Sequence, residues 1–255
     1  MNPIDQAFEK ERPLLVTYLT AGDPSPDDSL PLFQALIDGG ADILEIGVPF
    51  SDPGADGPAI QQASERALRA GADLSSAIAL AAKLPKAHPK VLFGYLNPFH
   101  AFGYQALAEA CQNAGIHGVL CVDCPPEEEP EFRAALKAHD IHPILLAAPT
   151  SSPQRIETLA QAGGGFLYYV SMTGVTGGSV VNHAELGERL ALVRHHAEIP
   201  VAVGFGVRTS GDVEQLAPHV NAVVVGSALV RLVAEHGKTA APKLKKLTEE
   251  LADAL

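Results

Sequence analysis

The sequence predicts an α/β fold, a (β/α)8 TIM barrel forming a single domain over residues 1–255, with extra N- and C-terminal helices. Two patterns carry this expectation. Short β-rich runs alternate with helix-like segments along the chain, and the runs are too apolar to face water, as strands of a helix-covered parallel sheet are. Eight such units in about 250 residues match the count and size of a barrel. An open doubly wound sheet is the rival, but it usually has fewer strands and often a G-x-G-x-x-G turn after the first. Here the first strand ends in Thr20-Ala-Gly-Asp-Pro24.

A helix is expected over Ile4–Glu11, before the first strand at Leu14–Thr20, and a second over Ser29–Gly39, before the second strand at Ile43–Val48. Further strands fall at Val91–Tyr95, Gly118–Val122, Pro143–Ala147, Phe166–Val170, Val201–Gly204 and Ala222–Val225. Helices are expected between them over Tyr104–Ala114, Pro126–Ala138, Pro153–Ala162 and Leu186–Ala197. Several open on Ser, Asp or Pro and close on Gly or a polar turn, as helix ends require. Lys238–Leu255 completes the chain as a packing helix. No linker, low-complexity tract or charge block divides it.

Composition is that of a soluble globule, 47% hydrophobic and 19% charged, without Trp. The net charge of −12, with Lys243-Leu-Lys-Lys-Leu247 as the densest basic stretch, disfavours nucleic acid and anionic membranes as partners. No apolar run approaches the ~18 residues of a spanning helix, and Met1-Asn-Pro-Ile-Asp-Gln lacks the basic and apolar regions of an export signal. A cytoplasmic location is expected. Three cysteines, an odd number, disfavour a disulfide framework. Cys121-Val-Asp-Cys124 is formally C-x-x-C, yet a zinc site would want a second pair and a redox motif normally opens a helix instead of ending a strand. The ten histidines form no H-E-x-x-H pattern, and no metal site is expected.

The richest stretch is Glu45-Ile-Gly-Val-Pro-Phe-Ser-Asp-Pro-Gly-Ala-Asp-Gly-Pro58. Strand alternation sets Asp42, Leu44, Ile46 and Val48 on one side and Ile43, Glu45 and Gly47 on the other, so Glu45 lies among apolar neighbours. Desolvation there raises a carboxyl toward the range of a neutral-pH general acid and base. A structural glutamate bonded to nearby backbone is the plainer alternative.

Barrel active sites lie at the C-terminal strand ends. That ring holds Tyr18, Asp23, Glu45, Asp52, Asp56, Tyr95, Asn97, Asp123, Tyr168, Thr176, Gly204, Gly206 and Gly226. Val203-Gly-Phe-Gly-Val207 and Val225-Gly-Ser-Ala228 follow strands seven and eight, where barrels commonly bind phosphate through backbone N–H groups and a helix N-terminus. Ser171-Met-Thr-Gly-Val-Thr-Gly-Gly-Ser179, after strand six, has the length and glycine content of a lid.

Six ordered sites now resemble one family. They are Thr20-Ala-Gly-Asp-Pro24, Glu45–Pro53 with Ala55-Asp-Gly-Pro58, Tyr95-Leu-Asn-Pro98, Val122-Asp-Cys-Pro125, Gly174-Val-Thr-Gly177 and Gly204-Phe-Gly206. The chain resembles the α subunits of tryptophan synthase over nearly its whole length. The resemblance implies retro-aldol cleavage of indole-3-glycerol phosphate to indole and glyceraldehyde 3-phosphate, with no metal or cofactor in this chain. It makes Glu45 the catalytic acid and base, and Asp56 the carboxylate that receives the indole N–H. Tyr18 would pack on indole, Tyr168 would stand near Glu45, and Thr176 would be the lid threonine that meets the loop aspartate. Gly177, Phe205, Gly206, Gly226 and Ser227 would bind the phosphate.

The family works as an α2β2 heterotetramer with a β subunit that carries pyridoxal phosphate (PLP) and receives indole through a tunnel. Pro49, Asp52, Asn97, Pro98 and Pro125 match its partner-facing surface. There are departures. Gly54 replaces a bulky apolar residue, which leads to the expectation of a looser loop; Cys124 replaces an apolar residue and is expected to act as a small hydrophobe; Gly178-Ser179 differ in the lid. A self-sufficient indole-3-glycerol phosphate lyase, a weakly active regulatory subunit, and another barrel chemistry such as phosphoribosyl-anthranilate isomerisation are the alternatives.

Overall fold

The computed structural model describes residues 1–170, 183–204 and 206–255. Its strands are β1 (Leu14–Thr20), β2 (Ile43–Gly47), β3 (Lys90–Gly94), β4 (Gly118–Cys121), β5 (His142–Ala147), β6 (Leu167–Val170), β7 (Val201–Gly204) and β8 (Ala222–Val225). They pair in parallel and in chain order, and β8 closes on β1 through Leu14↔Ala222 to Thr17↔Val225. This is the expected TIM barrel. Strand limits agree with the sequence reading to within a residue.

The helices are α1 (Pro3–Ala7), α2 (Pro26–Asp38), α3 (Pro58–Arg69), α4 (Leu74–Lys83), α5 (Leu96–Phe102), α6 (Tyr104–Ala114), α7 (Pro130–Ala138), α8 (Pro153–Ala162), α9 (His183–Ala197), α10 (Ser210–Leu216), α11 (Ser227–His236) and α12 (Ala241–Ala252). Five depart from expectation at their starts or ends, α9 by beginning at His183 instead of Leu186. The first stops at Ala7, short of Glu11, because Lys10 and Arg12 turn back to the buried Asp42 carboxylate at the foot of β2. The second begins earlier, where Ser25 caps it and Pro26 takes the first position, which needs no N–H. The seventh waits until Pro130, since Glu129 before it is left-handed (φ 45°). The last is preceded by a 3-10 turn at Gly237–Thr239, so the expected Lys238–Leu255 helix begins only at Ala241.

Strand alternation sorts the core into two layers. Inside the barrel, Leu14, Val16, Ile43, Val91, Leu120, Ile144, Phe166, Ala202, Ala222 and Val224 pack together, with Ile4 and Ala7 of α1 closing the bottom. The Asn2 side chain fastens this plug by donating to the carbonyls of His117 (3.0 Å) and Asp140 (2.8 Å). Opposite positions such as Leu15, Leu44, Ile46, Leu92, Val119, Val203 and Val223 pack outward under the helices.

Cys111, Cys121 and Cys124 are free and buried, and burial raises all three thiols above their ordinary range. They serve as small hydrophobes, as expected of Cys124. No helix among the described residues is long and apolar enough to cross a membrane.

Candidate active site

The alternation that fills the barrel with Val16, Ile43, Val91, Phe166 and Val224 continues two residues further along each strand. There it delivers Tyr18, Glu45, Phe93, Tyr168 and Gly226 to the upper layer. Apolar side chains occupy the lower barrel and the polar groups stand at its mouth. Tyr18 and Glu45 are register partners on β1 and β2, and Val91 flanks Glu45 from β3.

Glu45 is 1% exposed, and its Oε1 has no hydrogen-bond partner among the described residues. The plainer alternative was a glutamate bonded to nearby backbone, and no hydrogen bond between its carboxyl and backbone is found among the described residues. A desolvated carboxyl favours its neutral form, and burial lifts Glu45 to about 8. At neutral pH it is an acid with a proton to give.

Asp56 comes from the loop between β2 and α3. Burial raises it to about 6, opposed by the Tyr95 hydroxyl, which donates to its Oδ2 at 3.0 Å. The same hydroxyl accepts from the Ala55 N–H at 3.1 Å. The loop is further pinned by Gly54 N–H to the Asp52 carbonyl (2.8 Å), Asp56 N–H to the Pro53 carbonyl (3.0 Å), and the Gln61 amide to the Asp56 carbonyl (2.8 Å). A Cβ on Gly54 would meet nothing within 4 Å. A Cβ there would thus lie in open space, and the loop around Gly54 is held by the backbone and Tyr95 bonds just described.

Two tyrosines form the walls. Tyr18 is buried, meets Phe93 edge-on at 5.2 Å and hydrogen-bonds Thr20 at 3.2 Å. Burial, with the nearby charges of Asp56 and Glu45, raises its hydroxyl well above the ordinary value. Tyr168 is raised by burial and then by the same two carboxylates. Both rings lie over glycines: a Cβ on Gly47 would stand 2.2 Å from the Tyr18 hydroxyl, and one on Gly204 would stand 2.5 Å from that of Tyr168. The sequence alone singles out neither Gly47 nor the hydrogen bond that Tyr95 makes to Asp56. Tyr95 was visible at a strand end, but its bond to Asp56 exists only once the loop folds over.

At the β7–β8 edge, Gly206 is left-handed (φ +67°), a conformation glycine adopts freely. The two helix N-termini there differ. Helix α10 is satisfied by its own capping box, Thr209 with Asp212. Helix α11 starts at Ser227 after Gly226 with no side-chain cap, so its first N–H groups and positive dipole end are available to an anion. Thr176, Gly177, Phe205 and the expected lid lie outside the described residues.

The partner-facing expectations divide. Asp52, Asn97 and Pro125 are exposed and Pro98 half-exposed. Pro49 is buried, which corrects its assignment: the Val48 N–H continues the ladder to the Phe93 carbonyl (2.8 Å) and carries the chain inward before the loop emerges.

Comparison with known proteins agrees with this geometry. Residues 4–255 match the model of a family described as tryptophan synthase alpha chain. A tryptophan synthase alpha chain of Novosphingobium aromaticivorans is 46% identical over 258 residues, covering 100% of this chain and 97% of that one. Another, from Thioalkalivibrio sulfidiphilus, is 45% identical, covering 95% and 92%. The crystal structure of the tryptophan synthase α subunit from Legionella pneumophila superimposes with a TM-score of 0.92 at 34% identity, covering 100% and 98%. A chain of tryptophan synthase from M. tuberculosis gives 0.90 at 34%, covering 100% and 98%. With a family match over residues 4–255 and relatives 46% and 45% identical over nearly the whole chain, the chain belongs to the tryptophan synthase alpha chain family.

Proposed function

We propose that this chain cleaves indole-3-glycerol phosphate to indole and glyceraldehyde 3-phosphate, with Glu45 and Asp56 as its catalytic residues. The observation that carries the reading is the pair of carboxyls at one barrel mouth with separated proton affinities, Glu45 at about 8 and Asp56 at about 6. Near pH 7 one is mainly an acid and the other mainly a carboxylate. Glu45 gives its proton to C3 of the indole ring, and Asp56 accepts the indole N–H and stabilises the positive charge that develops on the ring. Glu45, now a carboxylate, takes the proton of the hydroxyl on the carbon next to the ring. That oxygen becomes the aldehyde, the carbon–carbon bond breaks, and its electron pair returns to the ring as indole leaves.

Tyr18 and Tyr168 would hold the indole between them. Gly206, Gly226 and Ser227, with Gly177 and Phe205, would hold the phosphate, supported by the uncapped start of α11. The chemistry moves protons between two carboxyls and substrate, so the chain needs no cofactor of its own. Indole would pass to a β subunit carrying pyridoxal phosphate, in an α2β2 assembly in the cytoplasm. The exposure of Asp52, Asn97 and Pro125 on one rim supports docking there, next to the loop that bears Asp56.

Indole release by the purified chain, alone and with a β subunit, tests this for wild type and Glu45→Gln. We expect a loss of ~10² or more with phosphate-ligand binding retained, and acceleration by the partner. Turnover that survives Glu45→Gln would sink the assignment, and fast turnover without partner would identify a self-sufficient lyase.

A further inference from the structure

The geometry points to Tyr95 as a positioning residue for Asp56, holding the loop carboxylate in the orientation that receives the indole N–H and tying it to the partner-facing rim. The inference rests on the reaction proposed above. Its grounds are three contacts on one side chain and a fourth on the backbone next to it.

The Tyr95 hydroxyl bonds twice to the loop, donating to Asp56 Oδ2 and accepting from the Ala55 N–H. Both bonds are made by one oxygen on a rigid ring that is itself buried, and Phe50, at the start of the loop, packs on that ring at 5.2 Å. A carboxylate on a loop is otherwise free to rotate; here Oδ2 is held, and among the described residues no bond occupies Oδ1, which would accept from substrate. Tyr95 is also the residue that opens α5, and the next N–H, that of Leu96, donates to the Asp123 carboxylate at 2.7 Å. Asn97 and Pro98 follow in the same turn. A shift of this rim therefore moves the Tyr95 hydroxyl and, through it, Asp56. Each end of the path is a direct hydrogen bond, with one rigid ring between them.

The hydrogen bond also opposes the rise in proton affinity that burial imposes on Asp56. The titratable groups facing this pair are Asp123 from the end of β4, Tyr18 of β1, and Tyr168 of β6, with Glu45 of β2 facing the two tyrosine walls. Removing only the Tyr95 hydroxyl leaves all of them in place.

The test is Tyr95→Phe alone and combined with Asp56→Asn, assayed with the β subunit present, together with an NMR titration of the Asp56 carboxyl. Tyr95→Phe is expected to lower kcat/KM about tenfold near pH 7 and to move the acidic limb of its pH profile up by about one unit. In the Asp56→Asn background the same change should cost almost nothing, because the two residues act as one. The Asp56 titration should move up with the kinetic limb. An unmoved limb and titration, or losses that multiply independently of Asp56, would reduce Tyr95 to a packing residue and overturn the inference. Wild type that cleaves no indole-3-glycerol phosphate would overturn the reaction instead, and the carboxyl titration would still decide whether Tyr95 governs Asp56.

Discussion

The hydroxyl of Tyr18 stands 2.2 Å from where a Cβ on Gly47 would be, so the strand that carries Glu45 ends in a glycine because a tyrosine from its neighbour occupies the space. No Cβ tolerates that distance. Gly47→Ala must push the Tyr18 ring off its seat against Phe93 and into the site. We expect kcat/KM to fall roughly 10–10²-fold while the fold survives, as a misplaced wall group costs about that much. Steady-state kinetics with circular dichroism checks this. Wild-type kinetics in Gly47→Ala would show that Tyr18 has room to yield.

The acid-base pair sets a pH profile. Asp56 must be ionised and Glu45 protonated for the first proton transfer, so kcat/KM should be bell-shaped, with limbs near 6 and near 8. The two limbs belong to the interacting pair. Glu45→Asp, which keeps a carboxyl and alters its burial, should move the alkaline limb more than the acidic one. A profile flat from pH 5 to 9 would contradict the separated pair.

Glu45 also makes stability depend on pH. Its folded value of about 8 lies above the unfolded value of 4.5, so the unfolded chain gives up this proton first as pH rises. The contribution is fully present below 4.5 and is lost as pH rises through 8. Glu45→Gln removes that loss. The variant should be more stable than wild type at pH 8 by on the order of a few kcal/mol, with the difference vanishing toward pH 4.5. Thermal melts of both proteins across pH test this, and a difference independent of pH would contradict it.

At the opposite end of the barrel the sign reverses. Burial, and then the charge of Lys90, lowers His88 and His117 to about 4. His117 accepts the Lys90 N–H through Nδ1, and His88 Nε2 has no partner among the described residues. The folded state therefore favours both as neutral imidazoles. Unfolded histidines take up protons below about 6.5, so stability present above 6.5 is lost as pH falls toward 4. His88→Gln should flatten the acid side of the stability curve, as read from denaturant midpoints between pH 4 and 7. An unchanged acid slope would mean that His88 does not contribute.

Gly54 faces open space, so Gly54→Leu should leave the stability of the isolated chain within about 0.5 kcal/mol of wild type. Urea midpoints measure it. A large destabilisation would reveal strain in the loop backbone at residue 54.

Much of this protein was legible in the amino-acid order because strand alternation and helix punctuation are local. Leu14–Thr20 and Ala222–Val225 were placed to the residue, and Glu45 was set on the face of Ile43 and Gly47, because side-chain direction repeats every two residues. Boundaries failed where a long-range contact decided them. Helix α1 stops at Ala7 because Lys10 and Arg12 answer a buried Asp42 some thirty residues away in sequence. Pro49 was expected on the rim and is buried because strand pairing with β3 extends beyond the strand itself.

By itself the sequence determined the fold class, the family and the two carboxyls, since each is written in periodicity or in contiguous motifs. Only the tertiary structure decided how those carboxyls differ. Burial of Glu45 among Ile43, Val91 and Tyr18, the hold of Tyr95 on Asp56, and the seating of Tyr18 over Gly47 arise between residues from different strands and loops. Proton affinity depends on what surrounds a group in space, and no local pattern along the chain specifies those surroundings.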